Sequence, residues 1–388
     1  MNGARAARAL AGTAALLAAL AGCAQVDPAA GPTADRPAPT ASLHSPGVSR
    51  TAAPTARTPD GTLVLTDFGS DTVTFVAPRA RGAATALGSV RVGAAPYGVA
   101  LGRDGTAWVA TAEGVAAVDT RRRTRTALIP YAADVGPVTG GEYRGGGMGI
   151  ALSPDGSRVY VGVNIPGRDG ELEIVDTARH TVVGSTPVGR RPFDVDVSPD
   201  GSHVYVTDHD SFDVAVVDTR DGSAHRIEVA PYGTAGGLGS WLKPHYTAVR
   251  PSDGALLIPF EGERLAVVDP AHGRVTVRPM TADTHQHGVT IGKDGTLYVV
   301  GTGPIDPSRQ AGPSLTVRRP DGRERLIPLQ GPHENVALSA DGRTAYVTGG
   351  YSRDGYWNGI SVVDLDTGTV TRLAVGHRPL GVAVLGLP

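Results

Sequence analysis

An Asp-Gly dipeptide returns seven times along this chain, at 60–61, 104–105, 155–156, 200–201, 253–254, 294–295 and 341–342, and nothing else in the sequence restricts the fold as tightly. Successive copies lie 41 to 53 residues apart, the spacing of four-stranded propeller blades. Each copy sits between two stretches of alternating apolar and polar residues, where glycine supplies the positive φ that a tight hairpin demands. The fourth copy shows the unit: Phe193 to Val197 reads as a first strand, Ser198-Pro-Asp-Gly201 as the turn and His203 to Thr207 as a second strand. Asp213 to Val217 makes a third, and Ala224 to Val229, past a turn ending at Gly222, a fourth. Beyond the N-terminal region no stretch of ten residues carries a clean 3.6-residue apolar pattern, so few helices are expected.

The ends predict how the array finishes. The first repeat begins at its own turn, Pro59-Asp60-Gly61, and lacks an innermost strand. The last repeat completes four strands by Val375 and is followed by Arg378-Pro-Leu-Gly-Val-Ala-Val-Leu385, which matches the innermost strand Ala95-Pro-Tyr-Gly-Val-Ala-Leu101. The C-terminal strand should therefore zip into the first blade, giving an all-β, seven-bladed propeller over residues 59–388 with no exposed terminal blade face.

The strings Val197-Ser-Pro-Asp-Gly201, Tyr205-Val-Thr-Asp208, Val214-Ala-Val-Val-Asp-Thr219 and Tyr346-Val-Thr-Gly349 resemble the YVTN family of β-propellers. That family includes YncE-like exported proteins and surface-layer proteins, with lactonase-like enzymes as more distant relatives. The resemblance covers roughly residues 59–388 and speaks to fold, because the shared residues build turns and blade packing. Two repeats depart from the pattern, Leu256-Leu-Ile-Pro259 and Trp108-Val-Ala-Thr111.

Ahead of the repeats, Arg5 and Arg8 precede an apolar run from Ala9 to Ala21 that is too short for a permanent membrane span. It ends in Leu20-Ala21-Gly22-Cys23, which resembles the bacterial lipobox and holds the only cysteine of the chain. The reading is a lipoprotein signal peptide over 1–22, lipidation at Cys23 and an extracytoplasmic protein whose membrane contact is the anchor alone. Residues 23–58, rich in Ala, Pro and Thr and without an aromatic, read as a disordered tether. A net charge of −2 with no basic stripe argues against nucleic acid as a partner. The expected partners are a small molecule or a cell-envelope protein, and the expected state is a monomer.

Blade topology puts the loops between second and third strands, and those between blades, on one face, here called the top. Those loops are long and varied and hold Tyr131, Tyr143, Tyr232, Trp241, Tyr351, Tyr356 and Trp357, whereas the bottom turns are short and uniform. The innermost strands begin at this face, with Tyr97, Met148, Phe193, His245, His287 and Leu380 in matching positions and either His333 or Glu334 in the seventh blade. Imidazoles from neighbouring blades suit a zinc-like divalent ion, so His245, His287 and His333, with Glu334 or His209 as a fourth group, form the candidate metal site. Tyr97, Phe193, Arg191, Trp241, Tyr143 and Trp357 are the candidate ligand contacts of the top face, and Arg190, Arg191, His377 and Arg378 could present a positive patch there. No Gly-x-Ser-x-Gly elbow, phosphate loop or His-Glu-x-x-His string occurs, so catalytic residues stay unassigned. A binding scaffold is the leading expectation. A metal-dependent hydrolase or lyase and a metal-capturing protein are the alternatives.

Overall fold

The computed structural model describes residues 58–78, 84–141, 143–229, 243–260, 264–281, 288–301, 312–350 and 355–386. Cys23, the whole signal segment, nearly all of the tether, Trp241 and His287 lie outside the described residues. Among those described, twenty-eight strands, β1 to β28 in chain order, form seven four-stranded antiparallel sheets, and there is no helix. The chain is a seven-bladed β-propeller.

Each blade is consecutive in sequence except the first. Its order is β28-β1-β2-β3, with β28 (Pro379–Val384) innermost and β1 (Leu63–Asp67), β2 (Thr72–Pro78) and β3 (Ala84–Arg91) outside it. The other innermost strands are β4 (Val99–Leu101), β8 (Gly146–Leu152), β12 (Pro192–Val197), β16 (Ala248–Val249), β20 (Val289–Ile291) and β24 (Val336–Leu338).

Strands buried on both faces explain the near-continuous apolar runs. In β1, Leu63 and Leu65 point toward the seventh blade and pack with Tyr346 and Ile360. Val64 points the other way and packs with Val109 and Val118 of the second blade. Successive side chains on a strand point to opposite faces, so each blade supplies one half of two interblade cores. Fully burying one Val or Leu of this kind contributes about 1.5–3 kcal/mol, and no disulfide is needed to hold the ring.

The seven Asp-Gly turns behave alike. Every glycine has a positive φ, from 68° at Gly342 to 89° at Gly105. In six of them the aspartate accepts the backbone N–H two residues on, as at Asp104–Thr106 (2.9 Å) and Asp200–Ser202 (3.0 Å). These side-chain turns fix the bottom hairpins locally.

Closure of the ring is a ladder with reinforcements. Leu63 pairs with Val384, Val64 with Ala383 and Leu65 with Val382. The Gly61 N–H donates to Leu385 O (2.8 Å) and the Leu385 N–H to Thr62 O (2.9 Å). The Gly381 N–H donates to Thr66 Oγ1 (2.7 Å), whose own proton goes to the Tyr97 carbonyl of the next blade (2.5 Å). Asp67 accepts the His377 N–H (3.1 Å), and burial pushes its carboxyl up to about 6 against the pull of those hydrogen bonds.

Removing residues 378–388 should lower the melting temperature by roughly 10 °C or more, since one strand and its interblade core are lost together. Gly381→Val should act in the same direction, because a Cβ there would stand 2.6 Å from the Tyr97 carbonyl oxygen. Gly140→Ala, with nothing within 4 Å of the added carbon, is the neutral control in the same calorimetric scan.

Candidate functional site: the top mouth of the channel

The chain enters three innermost strands through the same device. In Val92-Gly-Ala-Ala-Pro96, Val188-Gly-Arg-Arg-Pro192 and Val375-Gly-His-Arg-Pro379, the residue before proline adopts a left-handed backbone: Ala95 (φ 48°), Arg191 (φ 57°) and Arg378 (φ 52°). A non-glycine residue there costs about 1 kcal/mol or more, and proline then starts the extended strand. The bend leaves Arg191 and Arg378 on the rim and drops the residue after proline into the channel.

Those inward residues close the mouth. Phe68, Tyr97, Phe193 and Tyr246 meet edge to face, with centroids 6.2, 5.6 and 5.2 Å apart in that order, and Met148 and Leu380 complete the layer. Tyr97 and Phe193, expected as ligand contacts of the top face, are therefore buried members of a side-chain plug, 3 % and 1 % exposed. The physical reason is radial convergence: inward-directed rings from successive blades meet over a narrow channel and gain more from packing on one another than from solvent.

The histidines do not share one blade position. The Tyr97 N–H donates to Ala110 O and the Glu334 N–H to Thr348 O, both at 2.8 Å, which makes Glu334 rather than His333 the equivalent of Tyr97. Glu334 is buried at the mouth and accepts the Tyr246 hydroxyl (2.7 Å) across the channel. His333 turns into its own blade, with Nδ1 at 2.9 Å from Gly331 O and Nε2 at 2.8 Å from Ser361 Oγ. Its ring lies edge-on to Trp357, whose Nε1–H donates to Pro332 O. Blade five has the same extra residue: Tyr246 reaches the plug, and His245 stands one position earlier with Nδ1 at 3.1 Å from Lys243 O. Among the described residues no three His, Cys, Asp or Glu side chains gather to hold a metal, so His245, His333 and Glu334 are not brought together.

His245 instead meets His209, ring to ring at 4.2 Å. His209 is wholly buried, its Nδ1 2.7 Å from Asp210 Oδ1 and its Nε2 without a hydrogen-bond partner among the described residues. Burial pushes His209 down to about 4, and His333 likewise to about 4. Asp210 also binds Arg191 (3.0 Å) and Lys243 (2.9 Å). Although burial opposes it, the His209 hydrogen bond and these two cations hold that carboxyl well below the usual range.

Cations rim the plug. The Arg191 guanidinium lies 3.8 Å from the centroid of Tyr143, and Arg378 lies 4.7 Å from Phe68 and 5.2 Å from Tyr356. Arg144 is buried, donating to Ala95 O (3.0 Å) and Gly145 O (3.1 Å); desolvation brings it down to about 10. Arg144 and Arg378 have no carboxylate partner among the described residues. Tyr143 and Trp357 are half-buried at this face, each under an arginine, Arg191 and Arg372 respectively. Sequence reasoning missed Tyr246 and Arg144. An insertion of one residue after Pro244 hid the first, and the carbonyl that fixes the second lies 49 residues away.

At the other end of the channel, among the bottom turns, lies a cavity of about 920 Å³.

With this geometry established, the comparisons bear on fold. No family profile matches the chain. The seven-bladed beta-propeller protein Rv1057 of Mycobacterium tuberculosis is 29 % identical over 136 residues, 32 % of this chain and 30 % of that protein. The match thus spans under a third of that curated relative's length. Among solved structures, the periplasmic gluconolactonase PpgL of Pseudomonas aeruginosa superposes with a TM-score of 0.62 at 15 % identity, covering 84 % of this chain and 99 % of that one. A Lactobacillus plantarum protein does so at 0.62 and 17 %, with the same coverage. The dihydro-heme d1 dehydrogenase NirN gives 0.55 at 16 %, over 88 % of this chain and 78 % of its own.

A pH consequence follows from the two buried imidazoles. Their folded values near 4 lie below the ordinary 6.5, so between those limits the unfolded chain binds more protons than the native one. Stability should fall as pH drops through that window, by up to about 3 kcal/mol per histidine. Asp67, Asp194 and Asp213, raised to about 6, slope the opposite way, so the check is residue-specific. In NMR titrations of the folded protein His209 and His333 should stay neutral at pH 5.

Proposed function

We propose that this protein is an exported, lipid-anchored binding propeller of the YVTN-repeat, YncE-like kind that takes an anionic small molecule on its top face. Export and anchoring rest on the Cys23 segment, and the kinship on the repeat strings. The observation that carries the ligand class is Arg378. Its guanidinium is held between Phe68 and Tyr356 without an ion pair among the described residues, and its Nε is buried without a hydrogen bond. Arg191, at the matching bend of blade four, also has a buried, unbonded Nε. Aromatic rings hold each cation in place and lower the entropy lost when an anion binds. The plug beneath supplies an apolar floor.

A hydrolytic reading has one specific support: Asp210 orients the His209 imidazole, whose Nε2 has no hydrogen-bond partner among the described residues, the arrangement of a general base. PpgL's description as a gluconolactonase makes a sugar lactone the substrate to try. The metal reading continues through His245 and His209, whose rings meet at 4.2 Å; zinc retained on purification and lost in His245→Ala would favour it.

Calorimetry with D-gluconate and a panel of mono- and dicarboxylates at low salt should give binding that weakens at least tenfold in Arg191→Ala/Arg378→Ala. Arg191→Lys/Arg378→Lys should recover part of it. An absence of binding across the panel, or binding indifferent to both arginines, would remove the anion reading. Turnover of glucono-δ-lactone that disappears in His209→Gln would replace it with the hydrolytic one.

A further inference from the structure

The bottom cavity has a design of its own. Its walls come from four successive blades: Leu101 of blade two, Val382 of blade one, Leu338 of blade seven and Ile291 of blade six. A cavity of about 920 Å³ is in the range of small-molecule sites. The residue before each Asp-Gly faces this end. In five blades it is Pro59, Pro154, Pro199, Ser252 or Ala340, none of them charged. The two exceptions are Arg103 and Lys293, in blades two and six, which are the blades that bound the cavity on either side. Neither side chain makes a hydrogen bond or ion pair with a described residue, and Arg121, also on the rim, makes no side-chain bond either.

The acceptors around them are mostly committed. Asp294 accepts the N–H and hydroxyl of Thr296 (3.0 and 2.8 Å), and Asp341 accepts the Ser339 hydroxyl (2.6 Å) and the Arg343 N–H (3.1 Å). Asp60 alone keeps its carboxylate out of its turn. The site thus offers, at two opposite edges, cationic donors without a partner among the described residues, with an apolar wall between them and one opposing carboxylate.

We propose that the bottom end of the channel is a second binding site, for an amphipathic anion whose aliphatic body lies against Leu101, Ile291, Leu338 and Val382 and whose charged group sits at the rim, against Arg103 or Lys293. The charged group is a carboxylate or phosphate, of a free amphiphile or of a membrane lipid.

The test uses the purified full chain and dodecanoate below its micelle concentration, followed by calorimetry. Micromolar binding is expected, with dodecanol at least tenfold weaker. Arg103→Ala/Lys293→Ala changes only exposed side chains and should weaken dodecanoate at least tenfold. Thr290→Phe should do so by filling the cavity, and Asp60→Asn should tighten binding about threefold by removing one repulsive charge. Arg191→Ala/Arg378→Ala should leave it unchanged, which separates this site from the top face. Competition by dodecyl phosphate but not by phosphatidylglycerol vesicles would assign a free amphiphile, and the reverse a membrane lipid. No binding, or equal weakening by the top and bottom double variants, would overturn the proposal.

Discussion

Antiparallel pairing between Leu63–Asp67 and Pro379–Val384 joins segments more than 300 residues apart and closes the ring. Each blade buries both faces against neighbours, so an unclosed array would expose two apolar sheets at once. Closure turns those liabilities into the interblade core that holds Leu63, Leu65, Val384, Tyr346 and Ile360. Thr66 links the same seam to the next blade through its bonds with Gly381 and Tyr97, so the strand that shuts the wheel also helps position a plug residue.

The interior is chemically divided. Around the top mouth, positive guanidinium groups stand on aromatic rings, where ring quadrupoles partly replace the water that burial removes. In blade four the strand pattern puts Asp194 and Asp196 on one side, two residues apart. Burial raises Asp194 to about 6, and burial together with the Asp194 charge pushes Asp196 well above the usual carboxylate range. Asp208 and Asp213 form a second raised pair, where burial disfavours two adjacent negative charges. Blade four therefore carries four carboxyl groups that burial shifts toward their protonated forms.

Legibility followed the range of the interactions involved. The boundaries of blade four came out within one residue, since its turns are set by Asp-Gly chemistry acting over two residues. Cys23, His287 and Trp241 lie outside the described residues, so the structure does not speak to them. His333 shows where local reading failed. One extra residue between Pro332 and the strand reverses which side chain faces the channel, because strand parity has a period of two. The same insertion after Pro244 exchanged His245 for Tyr246 at the plug.

The sequence by itself determined the blade count, the hairpins and the closing strand. Each of these is written in periodicity and turn residues that act within a few positions of themselves. Only the tertiary structure decided that Tyr97, Phe193 and Tyr246 seal the mouth, that Arg144 is buried without a carboxylate partner among the described residues, and that a cavity opens at the opposite end. Those outcomes depend on side chains from different blades meeting around one axis. Such convergence is fixed by closure of the whole ring and leaves no mark on any single repeat.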